Sequence, residues 1–232
     1  MRQTNQKKWV ISYIDKDSIQ VPVLIINKKK YTKVKNLYFN HSVGGEPIEE
    51  ETEVQMKYDD EYLKIKFECR NNPRMNQNYY TEDNSPMFTQ EVFELFISNG
   101  ERSLENYLEI QLNPNNALYL AKITNRYKGD NQYENEPLDK KIVGVKHFVE
   151  KNEINNTWIG YLEIPLDLLK YPKDVSDSIF RLNMYRIISN EDHHDENWKN
   201  NADNSTYGCW SSTMSKRPQF HKPDYFGFLI LN

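Results

Sequence analysis

The stretch "EVQMKYDDEYLKIKFEC", residues 53–69, decides the fold. Val54, Met56 and Tyr58 alternate with polar residues, Asp59 and Asp60 turn the chain, and Leu63, Ile65 and Phe67 then alternate again. A period of two on both sides of a polar turn reads as a β-hairpin with one buried face. The same period returns in "EVFELFIS" (91–98), which ends on a turn at Asn99-Gly100, and in "NYLEIQLNPNNALYLAKIT" (106–124), which turns at residues 113–116. "KIVGVKHFV" (141–149), "TWIGYLEI" (157–164), "IFRLNMYRII" (179–188) and "YFGFLIL" (225–231) continue the pattern. One helical turn is predicted at "IPLDLLK" (164–170), with Pro165 at its first position and Leu166, Leu168 and Leu169 as anchors. The expectation is an all-β protein: a single antiparallel β-sandwich with one short helix, one domain over residues 1–232.

Composition sets the remaining bounds. The chain of 232 residues is 38% hydrophobic and 28% charged, enough for a sizeable core. A formal net charge of −4 argues against nucleic acid or an anionic membrane as partner. The apolar runs are too short to cross a bilayer, and "MRQTNQKKWVISYI" at the start lacks the apolar centre of a secretory signal. As the chain stands it reads as cytoplasmic, unless an export signal has been removed; a monomer is expected. Two cysteines, Cys69 and Cys209, cannot build a disulfide framework and are expected as reduced thiols.

Two polar segments are long for a compact domain: Arg70 to Met87 and Ser189 to Gly208. Within the second, "EDHHDEN" (191–197) is rich in ligand types. His193 and His194 are adjacent and would point opposite ways on an extended chain. Asp192, Asp195 and Glu196 could supply oxygens to calcium, yet the glycine-bearing spacing of a calcium loop is absent, so a solvated acidic loop competes with that reading. No G-x-S-x-G, phosphate loop or H-E-x-x-H is present. A glycosidase-like pair of carboxylates is not singled out by any spacing. No cofactor is required by what the chain contains.

Strand alternation makes the sharper case. Phe93, Leu95 and Ile97 share one face of their strand, and Glu94 lies on the other with Val92 and Phe96. Leu108, Ile110 and Leu112 are likewise apolar, so Tyr107, Glu109, Gln111 and Asn113 line the opposite face. Carboxylates and amides hydrogen-bond adjacent hydroxyls, and aromatic rings pack on the C–H faces of sugars. An ordinary solvated sheet face fits the same residues. Of the four tryptophans, Trp9 and Trp158 sit in strand-like runs and are expected in the core. Trp198 and Trp210 sit in or beside the second polar segment, as loop anchors or as binding platforms.

Five blocks resemble one family. "QEVFELFI" (90–97), "NYLEIQLNPNNALY" (106–119), "TWIGYLEIPLDLL" (157–169), "FRLNMYRI" (180–187) and "WSSTMSKRPQFHKPDYFGFLIL" (210–231) are similar, in order, to family 9 carbohydrate-binding modules. The resemblance spans Tyr38 to Leu231. It implies a β-sandwich that binds sugars without catalysis, with two aromatics clamping a mono- or disaccharide, and structural calcium also occurs in the family. By position, the resemblance makes Trp210 one clamp wall, with Glu94, Asn183 and Arg186 as hydrogen-bonding residues. The loop before residue 90 holds no tryptophan, so the second wall falls to Tyr79, Tyr80 or Phe88. Glu109 and Asn113 complete the expected site. The family is usually exported and often joined to glycoside hydrolases, and Ser212 stands where a proline often follows Trp-Ser. His221 and Pro223 read as residues that pin the last turn. Two other functions stay open: a haem-binding electron-transfer sandwich, with Met75, Met87, His193 and His221 as candidate ligands, and a glycoside-processing enzyme.

Overall fold

The computed structural model describes residues 19–35, 38–102, 105–126, 132–193 and 197–232. The hairpin at 53–69 forms as read. Strand β4 (Pro47–Tyr58) and β5 (Tyr62–Cys69) pair from Thr52↔Cys69 to Tyr58↔Leu63. Asp59 closes the turn by accepting from the backbone N–H of Glu61 and Tyr62. Beyond β5 lie β11 (Thr157–Pro165) and β10 (Lys146–Asn152), both antiparallel, and β2 (Thr32–Lys33) borders β4 on its other side. These strands make one layer.

The second layer runs β9 (Glu134–Pro137), β8 (Leu118–Thr124), β7 (Asn106–Leu112), β6 (Val92–Asn99) and β12 (Ile179–Ser189), all antiparallel. Strand β12 is long enough to serve two neighbours along one edge. Its residues 179–182 pair with β14 (Gly227–Leu231), and its residues 185–189 pair with β13 (Ser205–Cys209). Strand β14 then pairs in parallel with β1 (Val23–Ile26), and β13 pairs with β3 (Tyr38–His41). The start of β4 pairs with β3 while its end pairs with β5, so this strand of 12 residues passes from one layer to the other.

Between the layers lies the larger core. Phe67 stacks on Phe93 across it (3.8 Å between centroids, 13° between planes) and meets Trp158 edge-on at 5.1 Å. Gly160, opposite Phe67 in the ladder, is required by that ring: a Cβ there would lie 2.1 Å from Phe67 Cζ. Leu95, Ile97, Leu108, Ile110 and Leu112 face this core, as the alternation predicted. A second apolar cluster lies on the other face of the second layer and includes Val92, Phe96, Tyr107, Ala121, Tyr185, Cys209, Phe220 and Phe226.

Three local expectations are corrected. Pro165 ends strand β11 rather than starting a helix, and only a 3-10 turn, Leu168–Lys170, follows it. The described α-helical turn is α1 (Lys140–Val143), inside the stretch read as strand 141–149. Asp139 caps it by accepting from Lys141 N, and Gly144 ends it at φ 77°. Nor are the polar segments structureless. Asn and Gln side chains tie them together: Gln77 Oε1 accepts from His193 N, Asn200 Nδ2 donates to Phe88 O, and Asn115 Nδ2 donates to Asn78 O. Amides of this kind satisfy irregular backbone that no ladder reaches.

Candidate functional site

The outer face of the β12-β6-β7-β8 sheet gathers the polar residues that alternation had assigned to it. Ladder register puts Tyr185, Glu94, Gln111 and Tyr119 in one row across β12, β6, β7 and β8. The next row holds Asn183, Phe96, Glu109 and Ala121. Glu94 and Glu109 are thus diagonal neighbours, about 7–8 Å apart by ordinary sheet geometry. Between them Gln111 Nε2 donates to Glu109 Oε1 at 2.5 Å. Glu94, Glu109 and Gln111 are 2%, 4% and 1% exposed. Among the described residues, Glu94 Oε1 and Gln111 Oε1 are buried acceptors without a hydrogen-bond partner, which is costly unless a ligand fills them.

A histidine network supports Glu109 from one side. Asn125 Nδ2 donates to Tyr107 Oη (3.3 Å) and to His221 O (2.8 Å). The Tyr107 hydroxyl, which accepts from Asn125, shares a second hydrogen bond with His221 Nδ1 at 2.7 Å. The other ring nitrogen, Nε2, lies 4.0 Å from Glu109 Oε2. Burial pushes the imidazole down to about 3, so it is neutral. Tyr133 stacks on it with centroids 3.7 Å apart. Part-exposed tyrosines frame the carboxylates: Tyr119, Tyr133 and Tyr207, with Tyr80 packed on the same cluster. Burial and the charges of Glu109 and Glu94 push the Tyr119 phenol to about 12, and burial with Glu94 does the same to Tyr207.

Two carboxyls this close in a dry setting cannot both ionise easily. Burial raises Glu94 well above the usual range, with Glu109 adding to it, and burial raises Glu109 to about 7. A raised acid contributes stability that is full below its unfolded value near 4.5 and is lost as pH rises through about 7. The ligand-free protein should therefore melt at progressively lower temperature as pH rises from about 4.5 through about 7. Glu109→Gln is expected to flatten that slope and to stabilise the protein at the alkaline end. An unchanged slope in the variant would assign the effect elsewhere.

Several expected site residues lie elsewhere, and these are corrections. Trp210 is 5% exposed and belongs to the core between the layers. Its N–H donates to Met184 O at 2.8 Å, and its ring covers Gly227, where a Cβ would be 2.5 Å from Trp210 Cζ3. The indole fills the wedge where β13 leaves the β12 edge and β14 takes it over, and it borders a cavity lined by residues 22–25 and 32–35 rather than the face that carries Glu94 and Glu109. Asn183 marks the same point. Its amide donates to Ser211 O (2.8 Å) and accepts from Ser211 N (3.0 Å), leaving nothing for a sugar. Arg186 is three residues on and so faces the inter-layer side. It is 0% exposed and binds Glu91 Oε1 through Nε at 2.9 Å. Asn113 is spent on its turn, accepting from Asn115 and Ala117 N–H and donating to Tyr80 O.

Of the loop aromatics, Tyr79 and Phe88 are each 47% exposed, and Tyr79 meets Tyr80 edge-on at 5.4 Å. Trp158 is core, as expected, and donates to Glu91 Oε1. Trp198 is part-buried, with its ring 5.3 Å from that of His193, an anchor rather than a platform. Trp9 and the pair Asp195 and Glu196 lie outside the described residues, as does His194. The Asp192 carboxylate accepts from Arg74 Nε and Gln77 Nε2. Among the described residues no group of three His, Cys, Asp or Glu is placed to hold a metal. Of the haem candidates, Met75 is in the inter-layer core, Met87 in the outer cluster and His193 under Trp198. Both cysteines are free and buried. Among the described residues no helix is long and apolar enough to cross a membrane.

Tyr119, Tyr133, Tyr207 and the inward-facing His221 were not singled out as ligand-facing. Tyr119 was within reach: closing the hairpin at residues 113–116 places it opposite Gln111. Tyr133 and His221 meet only through the folded chain.

No protein-family model matches the chain. An "Extracellular protein" of Arthroderma benhamiae (strain ATCC MYA-4681 / CBS 112371) is 23% identical over 198 residues, 83% of each chain. Three solved structures resemble this chain over most of its length. One, from Bacteroides uniformis ATCC 8492, is assigned as carbohydrate-binding; it superposes with a TM-score of 0.63 at 14% identity, over 93% of this chain and 99% of that one. The others are a family 9 carbohydrate-binding module of Caldicellulosiruptor kristjanssonii with glucose and the same kind of module with cellotriose. Their TM-scores are 0.53 and 0.51 at 12% and 11% identity, each over 91% of this chain and over 96% and 94% of theirs. The β-sandwich described above is therefore the fold of the family 9 carbohydrate-binding modules.

Proposed function

We propose that the outer face of the β12-β6-β7-β8 sheet binds a mono- or disaccharide, or a glycan end, without chemical conversion. The observation that carries this reading is the set of buried acceptors on one face, Glu94 Oε1 and Gln111 Oε1 unfilled beside Glu109. Sugar hydroxyls are donors of the size and spacing that such acceptors take. Part-exposed Tyr80, Tyr119, Tyr133 and Tyr207 offer rings for the C–H faces of a pyranose. The structural neighbours, two of them holding glucose or cellotriose, support carbohydrate as the ligand class. Tyrosines replace the tryptophan clamp that the resemblance implied.

A disaccharide of about 23 non-hydrogen atoms at roughly 0.3 kcal/mol each gives a Kd on the order of ten micromolar. Calorimetry against a panel of mono- and disaccharides should find saturable heat in that range. Glu94→Ala should weaken it by about fivefold to tenfold, the loss of one buried hydrogen bond, with an unchanged circular dichroism spectrum. Folded protein giving no saturable heat up to about millimolar sugar would overturn the reading. Reducing ends appearing from a polysaccharide would move the face to the glycoside-processing class.

A further inference from the structure

We propose that the preferred ligand of this face is an amino sugar with a free, protonated amine, held by Glu94 and Glu109. The inference rests on the carbohydrate reading above and names the class of sugar within it. Three observations point to a cation. First, the two buried carboxyls have no cationic partner: among the described residues no Lys or Arg forms an ion pair with either. The arginine on the same side of β12, Arg181, spends its guanidinium on the main-chain oxygens of Phe226, Asp224 and Glu101. Second, the polar atoms left unfilled are acceptors only, Glu94 Oε1 and Gln111 Oε1, the latter on a side chain 1% exposed. Gln111 already gives its own amide N–H to Glu109. Third, the surroundings are aromatic: Tyr119, Tyr133 and Tyr207 lie close enough to feel the carboxyl charges, and Phe96 belongs to the same cluster.

A neutral sugar would meet the pair with burial and mutual repulsion holding the carboxyls protonated, whereas a cation beside them favours the charged form. An ammonium offers three N–H donors to unfilled acceptors, relieves the repulsion between the carboxyls, and sits against π-faces that favour cations. The facing groups from the other elements do not compete. From β7 and the closing segment, Tyr107 and His221 bind one another, and the imidazole is neutral. From β12, Tyr185 donates to Phe220 O, and from β13, the Cys209 thiol is held protonated by burial.

The experiment is calorimetry on the whole chain with glucose, glucosamine, N-acetylglucosamine and putrescine at about pH 7, where Glu109 can ionise. Glucosamine is expected to bind about tenfold tighter than glucose, the usual gain of a charge-assisted over a neutral hydrogen bond. Acetylation, which removes the charge, should abolish that gain. In Glu94→Gln the ratio of the two affinities should fall towards one, whatever happens to each alone. Equal affinity for glucose and glucosamine overturns the amino-sugar inference and leaves the carbohydrate reading standing. Putrescine binding as tightly as glucosamine also overturns it, since the amine alone would then suffice. No binding of any sugar overturns both.

Discussion

Replacing Arg186 with alanine is expected to cost roughly 3–5 kcal/mol, as removing one partner of a buried ion pair does. Its guanidinium joins four parts of the chain. Nε meets Glu91 Oε1, Nη1 donates to Glu51 O at 3.0 Å on β4, and Nη2 donates to Arg70 O at 2.9 Å just after β5. Trp158 of β11 shares the same Glu91 oxygen. Arg186 itself is on β12, so one side chain bolts the two layers together. Alanine would leave the buried Glu91 without its cation and Arg70 O without the guanidinium, although Glu51 O keeps the Arg70 backbone N–H. Urea denaturation should show a much lower midpoint with the slope unchanged. Arg186→Met with Glu91→Leu should lose less than Arg186→Ala alone, because no buried charge is left unpaired. A midpoint for Arg186→Ala within about 1 kcal/mol of the parent would show the bolt to be dispensable.

Trp210→Ala is expected to be as damaging, at roughly 3–5 kcal/mol, through the cavity it opens between the layers. The indole plugs a gap that the topology makes unavoidable, since two strands cannot share one edge of β12 without parting somewhere. Trp210→Phe should recover part of the loss. Sugar affinity of the folded fraction should stay within about twofold of the parent, because the ring lies on the far side of the sheet from Glu94 and Glu109. Stable protein with lost sugar binding would return Trp210 to the ligand.

How much was legible depended on what each residue's role requires. Period two over Val54–Tyr58 and Leu63–Phe67 specified a hairpin, and the same rule put Glu94, Glu109 and Gln111 on one face. Those roles need only strand parity and register. Alternation alone also separates Asn183 from Arg186, three residues apart, but positional likeness to a family placed both on the ligand. Trp210 misled for a related reason: turn residues surround it because the chain leaves a strand there, and the wedge it fills exists only when β13 and β14 are both in place. Tyr133 and His221 stack across 88 residues of chain, 221 less 133, which no local pattern encodes. The short helix was misplaced because Asp139 and Gly144 bracket only four residues, too few for a helical period to register.

The parallel pairing of β1 with β14 has a mechanical consequence. Val23–Ile26 and Phe228–Leu231 lie side by side in register and point the same way, near opposite ends of the sequence. Tension applied through the flanking chain pulls these two strands in opposite directions along their own axes. Their hydrogen bonds run across that axis and are strained together rather than peeled one at a time. Such a shear clamp resists force better than a hairpin pulled open from its end.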